Sequence, residues 1–166
     1  MATINLPHFG HLDPQVLDQY YDVEISFGGR EIMIDLNFID NSIDIKLMET
    51  VKGFLENLRI YDLNNKRYIE NDFNDEDGDT VMLYLKKHLH ELGNAELSGL
   101  INTGTKSIEH EKQLLKKLQL VRVGIYPATE NPFAVFDYSI GKAYTDDVIA
   151  INTDENGNLN YMSVEN

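Results

Sequence analysis

Residues 20–38 read YYDVEISFGGREIMIDLNF, two strand-like runs on either side of a glycine pair. Apolar and polar side chains alternate in both runs, which is the period of a half-buried β-strand. The glycine pair supplies the positive φ angles that a two-residue hairpin turn requires. This stretch therefore predicts a β-hairpin with Gly28 and Gly29 as its turn.

The same turn predicts how the two strands pair. A two-residue loop places Ile25 opposite Ile32, Val23 opposite Ile34 and Tyr21 opposite Leu36, and all of these apolar pairs fall on one face. The other face is acidic, and Asp22 falls opposite Asp35, a like-charge pair that costs up to about 1 kcal/mol. The carboxylates expected on this face are Asp22, Glu24, Glu31 and Asp35.

The middle of the chain, residues 42–117, reads as two or three helices. Apolar residues recur there at intervals of three and four, and residues 94–104 between two of these runs read as a loop. Capping residues stand before each run. The expected N-caps are Asn41 or Ser42, Asp79 and Ser107, and the expected left-handed C-cap of the second helix is Gly93.

Residues 118–164 change period again and predict an antiparallel meander. The links between its strands are short, which favours antiparallel pairing, and residues 154–157 predict a turn that ends in glycine. Strands, helices and strands follow one another without alternation. The sequence therefore predicts one α+β domain over residues 1–166, an antiparallel sheet of hairpin and meander with the helices packed on one face. Its hairpin is expected over 20–38.

Charge is the strongest global feature of the chain. The sequence has 14 Lys and Arg against 28 Asp and Glu, a net charge of −14, of which −11 falls on residues 1–80. Proteins bind phosphate backbones and anionic lipids through Lys and Arg, so this composition predicts neither nucleic acid nor a membrane as partner. It favours a cationic protein partner. The alternative is that the acidity serves solubility alone.

Nothing in the sequence marks a membrane protein or an exported one. No apolar run approaches the ~18 residues of a membrane-spanning helix. The N-terminal residues lack the basic and apolar regions of a signal peptide, and the chain has no cysteine. We therefore expect a cytoplasmic protein.

The sequence carries no recognisable catalytic, cofactor or metal motif. Ser139 lacks the first glycine of a nucleophile elbow, and no Gly-rich phosphate loop is present. The acidic run 72–79 has its glycine one position too late for a calcium loop, and Leu83 stands where that loop needs a glutamate. His8 and His11 come nearest to a metal-binding pair. We predict no catalytic residue, no cofactor and no metal.

Residues 133–158 read FAVFDYSIGKAYTDDVIAINTDENGN. This block resembles the C-terminal part of a family of uncharacterised bacterial domains, a domain of unknown function. In that family a Phe-Asp-Tyr-Ser-(Ile/Leu)-Gly strand leads through Thr/Ser-Asp-Asp/Glu to another strand and an Asp-x-Asn/Asp-Gly turn. The family has no assigned activity, so the resemblance implies no functional residue.

The chain is also similar in type to the small acidic immunity proteins that neutralise bacterial toxins. The first hypothesis is therefore a non-catalytic protein-binding domain, an immunity protein that neutralises a cationic toxin through the acidic face of the hairpin. An acidic inhibitor can cover the phosphate-binding site of a nuclease and associate with it quickly. One alternative is a small enzyme or metal-dependent protein with dispersed carboxylates and His8/His11 as its site. Another is a homodimeric interaction module that uses a sheet edge.

Overall fold

The computed structural model describes residues 3–129 and 132–166. Within them, four strands, five helices and four further strands follow one another along the chain. The first strands are β1 (Ile4–Leu6), β2 (Gly10–Leu12), β3 (Tyr20–Phe27) and β4 (Arg30–Asn37). The helices are α1 (Ile45–Glu56), α2 (Leu58–Asn74), α3 (Thr80–Glu91), α4 (Asn94–Leu100) and α5 (Ser107–Leu115). The last strands are β5 (Gln119–Ile125), β6 (Ala134–Ser139), β7 (Val148–Thr153) and β8 (Leu159–Glu165).

The hairpin forms with the predicted register. Strands β3 and β4 pair antiparallel, with Ile25 opposite Ile32 and Asp22 opposite Asp35. Gly28 and Gly29 have φ angles of 59° and 83°, the left-handed region that favours glycine. The α+β class predicted from the order of the elements is confirmed as well.

The hairpin and the meander join into one six-stranded sheet with the order β3-β4-β5-β6-β7-β8. Antiparallel pairing holds inside the hairpin and inside the meander, as predicted. The junction differs, because β4 and β5 run parallel. All five helices lie between these two strands in the chain, and a crossover of that kind lets neighbouring strands point the same way. Strands β1 and β2 form a separate two-stranded ladder that the sequence did not predict.

One face of the sheet forms the hydrophobic core with the helices. A continuous row of apolar side chains crosses all six strands on this face, and α1 and α3 contribute fully buried residues to the same cluster. The row consists of Val23, Ile34, Val123, Phe136, Ile151 and Met162.

None of the helices in the described ranges has the length and the apolar character that a membrane-spanning helix requires.

The helical middle departs from the prediction in its number of helices and in its caps. Helix α1 is capped by Asp44, whose Oδ1 accepts a hydrogen bond from the Lys46 amide at 2.7 Å, and not by Asn41 or Ser42. Asp79 stands at the N-cap of α3, but the carboxylate that bonds the first turn is Asp72, which accepts from the Val81 amide at 2.8 Å. Several polar residues precede each helix, so the pattern alone does not choose among them.

The second departure lies around Gly93. This glycine has a φ of −70° and precedes α4, so the predicted left-handed C-cap is wrong. Helix α4 occupies most of the segment that reads as a loop. It is seven residues long, less than two turns of periodic sequence, which explains why periodicity does not reveal it. Helix α5 begins at Ser107, with Lys106 and not Ser107 as its N-cap.

Candidate functional site

The second face of the six-stranded sheet is the strongest candidate for a functional surface. Side chains alternate between the two faces of a strand, so the residues that follow those of the apolar row point away from the helices. This surface is termed the open face. By register it carries six carboxylates, Asp22, Glu24, Glu31, Asp35, Asp137 and Glu165, and the one Lys or Arg in the described strands on this face is Arg122.

Arg122 lies at the centre of the open face and is held by Asp35. Its Nε and Nη2 donate to the two oxygens of Asp35 at 2.7 and 2.8 Å. Nη1 reaches Asp137 Oδ2 at 3.3 Å, and Nη2 also donates to the Tyr126 hydroxyl at 2.8 Å. Burial alone would lower the pKa of Arg122, but its bonds to Asp35 and Tyr126 and the charge of Asp35 raise the pKa well above its ordinary value. The guanidinium is therefore a fixed positive charge.

This ion pair explains how the hairpin tolerates its like-charge pair. Asp35 is 2% exposed, and the Asn37 side chain donates to its Oδ1 at 2.6 Å. Because the Arg122 guanidinium neutralises Asp35 from the neighbouring strand, Asp22 faces a compensated carboxylate.

The four acidic residues predicted for partner binding therefore separate into two groups. Asp22, Glu24 and Glu31 are exposed on the open face, and none of them has a salt bridge within residues 3–129 and 132–166. Asp35 is buried and bonded to Arg122, so it supports the face and offers a partner no free carboxylate. Sequence reasoning missed Arg122; the available signal was a lone basic residue at a polar position of a strand.

A cavity of about 430 Å³ opens on the same face over β5 to β8. Its lining combines apolar residues such as Val148 and Ala150 with Arg122 and with three carboxylates, those of Asp137, Asp146 and Glu165. Apolar walls beside carboxylates suit the aliphatic stem and charged head of a Lys or Arg side chain. The cavity is thus a recess in the acidic surface of the open face.

Burial raises the pKa of Asp137, and the Arg122 guanidinium lowers it by less, so the pKa stays above its ordinary value. A carboxyl with a higher pKa in the folded chain binds its proton more tightly there, and the folded state loses stability as pH rises through that range. Asparagine does not ionise, so Asp137→Asn escapes this loss of stability. The stability of the variant minus that of the wild type is therefore expected to be greater at pH 7 than at pH 3. Urea denaturation at both pH values measures this difference, and a change of opposite sign would mean that the bond to Arg122 outweighs the burial.

A second polar cluster joins α3 to the link between β6 and β7. His88 is 2% exposed; its Nδ1 lies 2.7 Å from the Tyr84 carbonyl oxygen and its Nε2 lies 2.8 Å from Thr145 Oγ1. Lys87 donates to Asp147 Oδ2 at 2.6 Å. Ser139 accepts from the Gly141 amide. The Thr145 hydroxyl and the buried His88 imidazole are thus within hydrogen-bond distance of each other, and the contacts of this cluster hold the link between β6 and β7 against α3.

A second recess, a cleft of about 680 Å³, is lined mainly by residues of α2 and α5 and includes three lysines. Lys66 pairs with Asp62 at 3.1 Å, and Lys112 pairs with Glu109 at 3.5 Å. Most of the local charge is thus compensated within the protein. The described residues that line the cleft include no His, Cys, Ser or Thr.

The histidines considered for a metal lie in the β1–β2 hairpin. His8 is in the turn with a φ of 70°, and His11 is exposed on β2. Within residues 3–129 and 132–166, no group of three or more His, Cys, Asp or Glu side chains is placed to hold a metal ion.

Comparisons with protein families, with curated proteins and with solved structures found no match to this chain.

Proposed function

We propose that this protein is a non-catalytic binding domain whose open face receives a positively charged surface of a partner protein. The observation that carries the proposal is the imbalance of charge on that face, six carboxylates against one arginine in the described strands. That arginine is already bonded to Asp35 and Asp137. The remaining carboxylates of β3 and β4 are exposed and attract cations.

The partner class that suits this surface is a cationic toxin, with this chain acting as its immunity protein. A toxin that acts on nucleic acid carries a basic surface for phosphates, and an acidic face can cover that surface. Long-range attraction between the two surfaces also accelerates their encounter. The rigid sheet beneath the carboxylates limits the conformational entropy lost on binding.

The alternatives have less support from the same residues. The most convergent polar cluster, around His88, is buried and internally hydrogen-bonded, which does not favour an enzyme. The homodimer of the other alternative would use a sheet edge, and pairing of two β3 strands would bring the carboxylates of Asp22 and Glu24 together, which disfavours it.

The test removes three charges from the open face. The variant Asp22→Asn/Glu24→Gln/Glu31→Gln is expected to slow association with the purified cationic partner about tenfold at low salt, because electrostatic steering depends on those charges. The partner is first captured on the immobilised protein from an extract of its native host. Stopped-flow association rates at low and high salt then measure the effect, and high salt should reduce the difference between variant and wild type.

A matched control removes three charges elsewhere. The variant Asp75→Asn/Glu76→Gln/Asp77→Asn has the same net charge, and its substitutions lie in the exposed segment between α2 and α3. Its association rate is expected to stay within about twofold of the wild type, since steering weakens with distance from the contact. Equal slowing by both variants, or capture of acidic partners alone, would contradict the proposal.

A further inference from the structure

Strand β3 has one free edge. Within the described ranges β4 is its single neighbour in the sheet. The two-residue turn makes Phe27 and Arg30 a hydrogen-bonded pair, and such pairs alternate along an antiparallel ladder. The backbone N–H and C=O groups of Asp22, Glu24 and Ser26 therefore point away from β4, towards the free edge.

The side chains of β3 are also arranged as expected for an edge that accepts another strand. Asp22, Glu24 and Ser26 are exposed on the open face, whereas Val23 and Ile25 on the helix-covered face are only half-buried. Their equivalents on the next strand, Ile32 and Ile34, are buried completely or nearly so. One more strand beside β3 would cover the apolar pair and would lie alongside the carboxylates.

We infer that β3 receives an extended segment of the cationic partner as an added strand of the sheet. This inference rests on the proposed function and specifies its mode of binding. Because side chains alternate along a strand, the segment carries Lys or Arg at every second position, facing Asp22 and Glu24. The intervening positions are β-branched or aromatic and pack beside Val23 and Ile25.

Charge decides between this occupant and a second copy of the chain. Pairing of β3 with another β3 would bring the carboxylates of Asp22 and Glu24 together on one face, which is destabilising. The same carboxylates protect a free edge from unspecific pairing. The opposite edge, β8, has one carboxylate on the open face, Glu165, and its Oε1 accepts from the Ser163 hydroxyl at 2.9 Å. A basic strand therefore fits β3 better than β8.

The probe is a capped synthetic peptide, Lys-Val-Lys-Val-Lys-Val-Lys, compared with a peptide of the same composition that has all its lysines at one end. The alternating peptide is expected to slow hydrogen exchange of the Asp22, Glu24 and Ser26 amides at least about tenfold, because these amides gain partners. The grouped peptide is expected to leave them unprotected. NMR-detected exchange measures both. Equal protection by the two peptides, or protection confined to β8, would overturn the inference.

A charge-neutral variant tests the backbone contribution. Ser26→Pro removes one outward N–H and keeps every carboxylate, and proline is tolerated at edge positions whose N–H faces solvent. It is expected to weaken binding of the alternating peptide about tenfold, the equivalent of ~1.4 kcal/mol, while the control Ser26→Ala stays within about twofold. If the proline variant does not fold, wild-type protein with an N-methylated peptide makes the same comparison.

The outcomes separate this inference from the function it rests on. If Ser26→Pro binds the alternating peptide as tightly as the wild type does and Asp22→Asn/Glu24→Gln binds it more weakly, strand addition is refuted and the acidic face remains the binding surface. If both variants bind the peptide as tightly as the wild type does, both proposals are refuted. Concentration-dependent protection of the β3 amides without peptide would mean that a second copy occupies the edge, and would also overturn the inference.

Discussion

Arg122→Met is expected to lower the free energy of unfolding by about 3 kcal/mol. Removing one partner of a buried ion pair typically costs about 3–5 kcal/mol, because the other charge stays buried and unpaired. Asp35 meets that condition, since its side chain is 3% exposed and both of its oxygens bond to Arg122. The Arg122 side chain is 32% exposed, so water reaches part of the site and the lower end of the range applies.

Two further variants make the measurement specific to the pair. Arg67→Met replaces an exposed arginine of α2 and is expected to change stability by less than about 0.5 kcal/mol. Adding Asp35→Asn to Arg122→Met is expected to recover part of the loss, because the stranded charge is removed as well. Urea denaturation followed by circular dichroism gives the three values. An Arg122→Met variant that is as stable as the wild type would contradict this account of the open face. So would an Arg122→Met/Asp35→Asn variant that is no more stable than Arg122→Met alone.

The hairpin could be predicted in detail because two local features agree there. The Gly28-Gly29 turn sets the pairing, and the alternation of Val23, Ile25 and their partners requires the same pairing. The ends of the helices were less predictable, since adjacent polar residues offer several caps. The elements that were missed, β1, β2 and α4, are too short for a period to stand out.

The centre of the candidate site depends on a contact that local sequence does not encode. Asp35 and Arg122 are 87 positions apart, and they meet because β5 docks parallel to β4 after five helices. The sequence pattern of the hairpin correctly predicts the face of the sheet on which Asp35 lies. It contains no information about the later strand whose guanidinium buries and neutralises this carboxylate. The acidic surface was thus foreseeable as a pattern, whereas the division between its exposed and its neutralised carboxylates was not.

The turn between β7 and β8 combines a predictable feature with one that only the fold supplies. Gly157 has a φ of 78°, as the predicted turn requires, and an added Cβ would also overlap the ring of Tyr61 on α2. That ring stacks on Phe54, with ring centroids 4.5 Å apart, so it has little freedom to move. Gly157→Ala is therefore expected to cost about 2–4 kcal/mol, from backbone strain of ~1–2 kcal/mol and from overpacking. Thermal and urea unfolding measure the loss.

Gly29→Ala separates the two contributions. Gly29 has a similar φ of 83°, and an added Cβ there meets nothing within 4 Å, so its substitution is expected to cost only the strain, about 1 kcal/mol. In a Tyr61→Ala background the cost of Gly157→Ala should fall to that same level, because the overlapping ring is gone. Equal costs at both glycines with Tyr61 present would mean that the ring moves aside freely. In that case its stacking on Phe54 would not fix the position of α2 against the turn that leads into β8.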